Sequence, residues 1–145
     1  MKRTIGTLTA AVMLCAAGLA LAAGGAAHIK LHKSGLGKLV TNGSSFTVYM
    51  FTKDSRDRDR CMKIKFCTGT WPPVTTHGKP IAGPGVKQSL LGKITIGHGK
   101  SQVTYAGHPL YTYSADTGPA QTAYVGIPMF GGKWYGLTAT GKAIK

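Results

Sequence analysis

A short motif of two aromatic residues and an aspartate occurs twice in the chain, and this internal repeat constrains the fold more than any other feature. The members of the two copies are Tyr49, Phe51 and Asp54, then Tyr111, Tyr113 and Asp116. Val-Thr precedes both copies, and Trp71 and Trp134 follow the two aspartates at nearly equal distances. Agreement at so many positions indicates two diverged copies of one structural unit.

The spacing within each copy is that of a β-strand followed by a turn. Residues two apart in a strand point to the same face, so each copy places two aromatic rings on one side. The aspartate falls three residues after the second ring, where the strand would end. We therefore predict two motif strands related by an approximate two-fold axis.

The remaining pattern predicts an all-β domain of antiparallel hairpins with long loops rich in Gly and Pro. Asn42-Gly43 between apolar runs predicts a hairpin of 36–41 with 46–52. A second hairpin is predicted for 93–97 with 101–105, and further strands for 109–114 and 133–138. No segment shows helical periodicity beyond about one turn.

The N-terminus has the form of a secretory signal peptide. A basic start precedes an apolar run, and Ala20-Leu21-Ala22 fits a cleavage site, so residues 1–22 are predicted to be removed. An uncleaved anchor is the alternative. We expect a flexible segment at 23–35 with a short strand at 28–32, then a β domain at 36–145 whose repeats span about 36–74 and 93–138.

Export would place the cysteines of the mature chain in an oxidising compartment. Cys15 lies in the predicted signal peptide, which leaves Cys61 and Cys67 as a pair. In an exported protein such a pair predicts a disulfide. We expect a soluble product, periplasmic or extracellular, with no transmembrane segment in the mature chain.

The chain is strongly basic. Its 18 Lys and Arg oppose 4 Asp and Glu, and loss of Lys2 and Arg3 lowers the formal net charge from +14 to +12. Such a charge favours anionic envelope polymers or lipid head groups as partners, rather than a specific nucleic acid. A generically cationic secreted protein would have the same composition. The oligomeric state is not indicated.

The motif residues and two histidines are the candidate site residues, and each has a structural alternative. An aspartate at a strand end most often caps a turn, and Tyr and Trp most often pack in a core. His28 and His32 share a strand face and are weak metal candidates without a third ligand. We expect no cofactor.

These residues resemble a bacterial family of secreted and lipoprotein repeats defined by a Tyr-x-(Phe/Trp/Tyr)-x-x-Asp motif. The resemblance spans about 36–141 and includes Trp71-Pro72-Pro73, Gly83-Pro84-Gly85-Val86 and Gly131-Gly132-Lys133-Trp134-Tyr135. Members are often lipid-anchored, whereas Leu14 before Cys15 breaks the lipidation signal. The resemblance implies a fold and an exported location but no established activity.

Three functions are compatible with this sequence. A non-enzymatic envelope protein that binds a partner or an anionic surface is favoured by the charge and by the lack of a catalytic constellation. A periplasmic metal or redox accessory protein is the alternative. A hydrolase is third, since the four side-chain carboxylates are all aspartates and only a pair across the repeat could perform acid–base chemistry.

Overall fold

Short β-strands form nearly all the regular structure of residues 24–145, the part of the chain that the computed structural model describes. The predicted signal peptide lies outside these residues. The strands in chain order are β1 His28–Ser34, β2 Gly37–Asn42, β3 Tyr49–Phe51, β4 Thr75–Thr76, β5 Ile81–Ala82, β6 Leu91–Gly97, β7 Lys100–Tyr105, β8 His108–Pro109, β9 Pro128–Met129, β10 Gly132–Leu137 and β11 Ala143–Ile144. Within residues 24–145, helical structure is limited to α1, Cys67–Thr70, and 3-10 turns at Cys61–Lys63 and Gln88–Leu90. The all-β prediction is confirmed.

The strands form three small sheets. Their orders are β2-β1-β5, β11-β10-β3 with β9 beside β10, and β4-β7-β6 with β8 beside β7. All pairings between these strands are antiparallel except that of β1 with β5. Among the described residues, no helix is long and apolar enough to cross a membrane.

The second predicted hairpin is confirmed as β6 and β7. Its register runs from Leu91 opposite Tyr105 to Gly97 opposite Lys100. His98 and Gly99 form the tight two-residue turn between the strands, and both have the positive φ that such a turn requires.

The first predicted hairpin forms only near its turn. Asn42 N–H donates to the Phe46 carbonyl at 2.9 Å, Thr41 bridges Thr47, and Val48 N–H donates to the Val40 carbonyl at 3.3 Å. Beyond these residues the pairing ends, because β3 pairs with β10, where Phe51 lies opposite Trp134, and β2 pairs along its length with β1. An Asn-Gly signal predicts a turn but not which strand the chain joins after it, and here β3 buries its rings against the second repeat.

The strand predicted at 109–114 is also wrong in extent, because only β8 pairs regularly. Tyr111 is extended but makes isolated bridges to Tyr49 and Pro73. Pro72, Pro73 and Pro109 have no N–H, so a continuous ladder cannot form around this segment. Single bonds replace it, such as Thr112 N–H to the Pro72 carbonyl at 3.0 Å.

The buried side chains form two adjoining clusters. The first lies between the hairpin sheets and consists mainly of Ile, Val and Leu, with Tyr105. The second contains the motif rings and the disulfide: Tyr49, Phe51, Cys61, Cys67, Trp71, Tyr111 and Trp134. The core of the second cluster is thus built from both motif copies.

The predicted disulfide is confirmed. Cys61 and Cys67 are bonded with their Cα atoms 5.4 Å apart, and both are buried. The bridge closes a short loop just before Trp71 and ties it to the aromatic cluster.

Candidate functional site at the junction of the repeats

The two motif copies meet at a reciprocal backbone exchange. Tyr49 N–H donates to the Tyr111 carbonyl at 2.8 Å, and Tyr111 N–H donates to the Tyr49 carbonyl at 3.0 Å. This closely spaced pair of bonds is the repeating element of an antiparallel ladder. It relates the first aromatic residue of one copy to that of the other by a local two-fold.

The side chains repeat the same exchange. The Tyr49 hydroxyl donates to Asp116 Oδ2 at 2.9 Å, and the Tyr111 hydroxyl donates to Asp54 Oδ2 at 2.9 Å. Each phenol therefore uses the carboxylate of the opposite repeat. Both tyrosines are fully buried, so each hydroxyl obtains an acceptor that water cannot supply.

The Asx-turns expected at the motif aspartates do not form. The backbone N–H of Asp54 donates to the Phe51 carbonyl, and that of Asp116 to the Tyr113 carbonyl, each at 3.1 Å. The turns are thus closed by the backbone, which leaves the carboxylates free to reach across the repeat. Asp54 also accepts a bond from Arg60 N–H at 2.7 Å, six residues on, whereas Asp116 Oδ1 is buried without a partner.

Burial governs the ionisation of these groups. Desolvation raises the pKa of both tyrosines well above the ordinary value, and the nearby carboxylates add to it, so the phenols stay neutral donors. Desolvation likewise raises the pKa of Asp54 to about 6, although the bonds from Arg60 and Tyr111 oppose it. The pKa of Asp116 is raised for the same reason.

The tryptophans that follow the motifs stack on each other at the centre of the cluster. The Trp71 and Trp134 ring centroids lie 4.0 Å apart with planes 2° from parallel. Phe51 stacks on Trp134 at 4.1 Å, and Tyr113 packs on Trp71 at 4.5 Å. Each tryptophan thus packs against the second motif ring of the opposite repeat.

The first motif rings meet the tryptophans edge-on, again in equivalent pairs. Tyr49 with Trp71 and Tyr111 with Trp134 have centroids 5.1 Å apart in T-shaped geometry. Gly132 allows the close packing of β10, because a Cβ there would lie 2.6 Å from Phe51. Edge-to-face and offset contacts of this kind stabilise aromatic clusters beyond their buried area.

Two further residues complete the cluster and were not predicted from the sequence. Met129 accepts both indole N–H groups, from Trp71 at its sulfur (3.4 Å) and from Trp134 at its carbonyl (3.2 Å). Tyr124 packs on Tyr113 with centroids 3.8 Å apart. Neither lies at a position repeated between the motif copies, so no pattern marked them.

The cluster is closely packed. A pocket of about 310 Å³ lies outside it and is lined by Ala27, His28, Asn42, Gly43, Ser44, Pro73, Val74, Thr75 and Thr112. Tyr49, Tyr111, Trp71 and Trp134 are each 0% exposed. The motif residues therefore join the two repeats, and their arrangement is that of a structural junction.

His28 and His32 lie on β1 but are not brought together. Four residues along a strand separate their Cα atoms by about 13 Å, too far for both rings to bind one ion. No group of three metal-binding side chains occurs within residues 24–145.

Comparison with known proteins identifies the family. Residues 30–75 and 93–138 both match the family Lipoprotein_15, described as a secreted repeat of unknown function. The two matches cover more than half of the chain, which therefore belongs to this family. No curated protein and no solved structure matched the chain.

Proposed function

We propose that this protein is an exported, non-enzymatic protein of the cell envelope that binds an anionic surface through its lysines and arginines. The observation that carries the proposal is the near absence of compensating negative charge on the surface of residues 24–145. The description of the family as secreted supports a location, periplasmic or extracellular, where envelope polymers and lipid head groups are the available polyanions.

The cationic side chains face solvent. Every lysine and arginine of the described residues except Lys30 is exposed, and Lys30 is half-buried. They are spread over strands and loops of both repeats.

The carboxylates, by contrast, mostly point inward. Asp54 and Asp116 accept the buried phenols, and Asp59 is 9% exposed and caps Met62 N–H at 2.9 Å. Asp57 is the one exposed aspartate, and it forms a loose ion pair with Arg56 at 3.8 Å in which both side chains are solvated. Such a pair contributes little, and the net surface charge stays strongly positive.

A surface of this kind binds polyanions by long-range attraction that salt screens. We expect retention of the mature protein on a heparin column at low salt and elution at moderate salt. Replacing several exposed lysines of both repeats by glutamine should shift elution to lower salt. Flow-through of the wild type at low salt would contradict the proposal.

A redox accessory role is the second candidate, favoured by the continuous stack of Tyr124, Tyr113, Trp71, Trp134 and Phe51. A one-electron oxidant outside the protein could remove an electron from one of the stacked Trp rings. The Tyr49 phenol could replace that electron by passing its proton to Asp116. Transient absorption after photo-oxidation tests this role. We expect a tyrosyl radical in the wild type and none in Tyr49→Phe. A tyrosyl radical that persists in Tyr49→Phe would exclude Tyr49 as the electron donor.

A further inference from the structure

The loop closed by the disulfide exposes apolar side chains that the fold does not explain. Phe66 is 73% exposed and Met62 is 47% exposed, the two highest values among the large apolar side chains of residues 24–145. A single exposed apolar residue is ordinary, whereas here two lie four residues apart in one short loop.

The backbone at Phe66 is unusual for a bulky residue. Its φ of 65° and ψ of −4° lie in the left-handed region, which Gly or Asn adopts more easily. The ring is 73% exposed, so burial does not account for a phenylalanine here. A bulky residue kept in this conformation at an exposed position points to a functional role.

The disulfide fixes this loop in its exposed position. Cys61 and Cys67 are both buried in the aromatic cluster, and Ile64 packs against it from the loop between them. The exposed residues on either side of Ile64 are therefore held outward between fixed points. Phe66 is thereby presented on a constrained loop, which lowers the entropy lost when it contacts another surface.

Positive charge surrounds the apolar tip. Arg60, Lys63 and Lys65 are exposed, and Lys65 Nζ lies 4.9 Å from the centre of the Phe66 ring. The nearest carboxylate in sequence, Asp59, is turned inward onto Met62 N–H. The loop thus combines an aromatic tip with a cationic rim.

We propose that the loop 60–66 is the membrane-contact site of this protein, specific for anionic lipid. Phe66 and Met62 enter the interfacial layer of the bilayer, while Arg60, Lys63 and Lys65 contact lipid phosphates. Apolar and aromatic side chains beside basic residues are the combination that binds anionic bilayer surfaces. The inference rests on the proposed function and specifies a lipid surface rather than a soluble polymer.

The test compares Phe66→Asn with Leu36→Asn, a matched control at an apolar residue 45% exposed in the β1–β2 turn. Partition of the mature protein is measured with vesicles of phosphatidylcholine, with and without phosphatidylglycerol. We expect binding to the anionic vesicles only, weakened about tenfold by Phe66→Asn and unchanged by Leu36→Asn. Heparin retention should be equal in all three proteins.

Thermal melts separate loss of binding from loss of folding. Asn tolerates the left-handed conformation, so Phe66→Asn should melt at or above the wild-type temperature while binding vesicles less well. Equal vesicle binding by all three proteins, or heparin retention with no vesicle binding, would overturn this inference and leave the proposed function standing. A wild type that binds neither would overturn both.

Discussion

The Tyr49 hydroxyl and the Asp116 carboxylate are joined by a 2.9 Å hydrogen bond across 67 residues of sequence, and Tyr111 with Asp54 forms the equivalent bond in the other direction. The tyrosine and aspartate of one motif copy are therefore not partners of each other. A single repeat would bury a phenol without its acceptor, so the two repeats need each other to satisfy their polar groups.

Removing a motif carboxylate should destabilise the protein more than neutralising it. Asp116→Ala leaves the Tyr49 hydroxyl with only the distant Gln121 carbonyl at 3.4 Å, and we expect a loss of about 1–3 kcal/mol in the free energy of unfolding. Asp116→Asn keeps an acceptor and should cost less than about 1 kcal/mol. Urea unfolding measures both, with the exposed Asp57→Ala as a control expected to change little.

Asp54→Ala should cost more than Asp116→Ala, because Asp54 also accepts from Arg60 N–H. A double-mutant cycle then tests the cross-repeat bond itself. Tyr111→Phe and Asp54→Ala should show a coupling energy of about 1 kcal/mol. Tyr49→Phe combined with Asp54→Ala is the mismatched control, and equal coupling in both cycles would refute the specific exchange.

Stability should rise as pH falls from neutral, opposite to ordinary acid denaturation. The pKa of Asp54 is about 6 in the folded protein, above the ordinary value of 3.8, so the folded state binds this proton more tightly. The contribution of Asp54 to the free energy of unfolding is complete at pH values below its pKa in the unfolded chain. It is lost as pH rises through about 6, and the loss is at most about 3 kcal/mol. Asp116 acts in the same direction.

The lowered pKa of His108 acts in the opposite direction, since desolvation makes its charging unfavourable in the folded state. The difference between wild type and Asp54→Asn isolates Asp54 from this effect. Urea unfolding at several pH values between about 4 and 7 should show a shallower decline with pH in Asp54→Asn. Parallel curves for the two proteins would show that Asp54 does not titrate in this range.

The sequence predicted local features well and long-range partners poorly. The β6–β7 hairpin, the turn after Asn42 and the disulfide all depend on residues close in sequence. The pairing of β3 with β10, and of Tyr49 with Asp116, joins segments far apart, and turn chemistry at Asn42 carries no information about them. Met129 joins the cluster through its backbone carbonyl and sulfur, which periodicity does not reveal.

The stacked indoles should give a distinct spectroscopic signal. The Trp71 and Trp134 rings are stacked 4.0 Å apart, so their transitions couple, and the in-plane angle between the two transition moments sets the sign and strength of the coupled circular dichroism band. Trp71→Phe should abolish the coupled band and cost about 1–3 kcal/mol through the space left in the cluster. Tyr135→Phe, on the other face of β10, is the control. A wild-type spectrum equal to the sum of Trp71→Phe and Trp134→Phe would argue against coupling.

Reduction of the disulfide should weaken the fold without abolishing it. Cys61 and Cys67 close a loop of few residues, for which the chain-entropy model gives about 2 kcal/mol. The melting temperature should fall on reduction while the circular dichroism of the strands persists. Thiol labelling of the unreduced protein should modify neither cysteine, and labelling of either would show that the bridge does not form.

The motif aspartates should not bind metal ions. Asp54 and Asp116 each accept a buried phenol, and no group of three metal-binding side chains lies within residues 24–145. We therefore expect Ca²⁺, Cu²⁺ and Zn²⁺ to leave the melting temperatures of wild type and Asp116→Asn unchanged. A metal at a hundred times its Kd would stabilise the folded state by about 2.7 kcal/mol, which a melt detects easily. A wild-type melt that rises with one metal, and no longer does so in Asp116→Asn, would assign the junction a metal-binding role instead of a structural one.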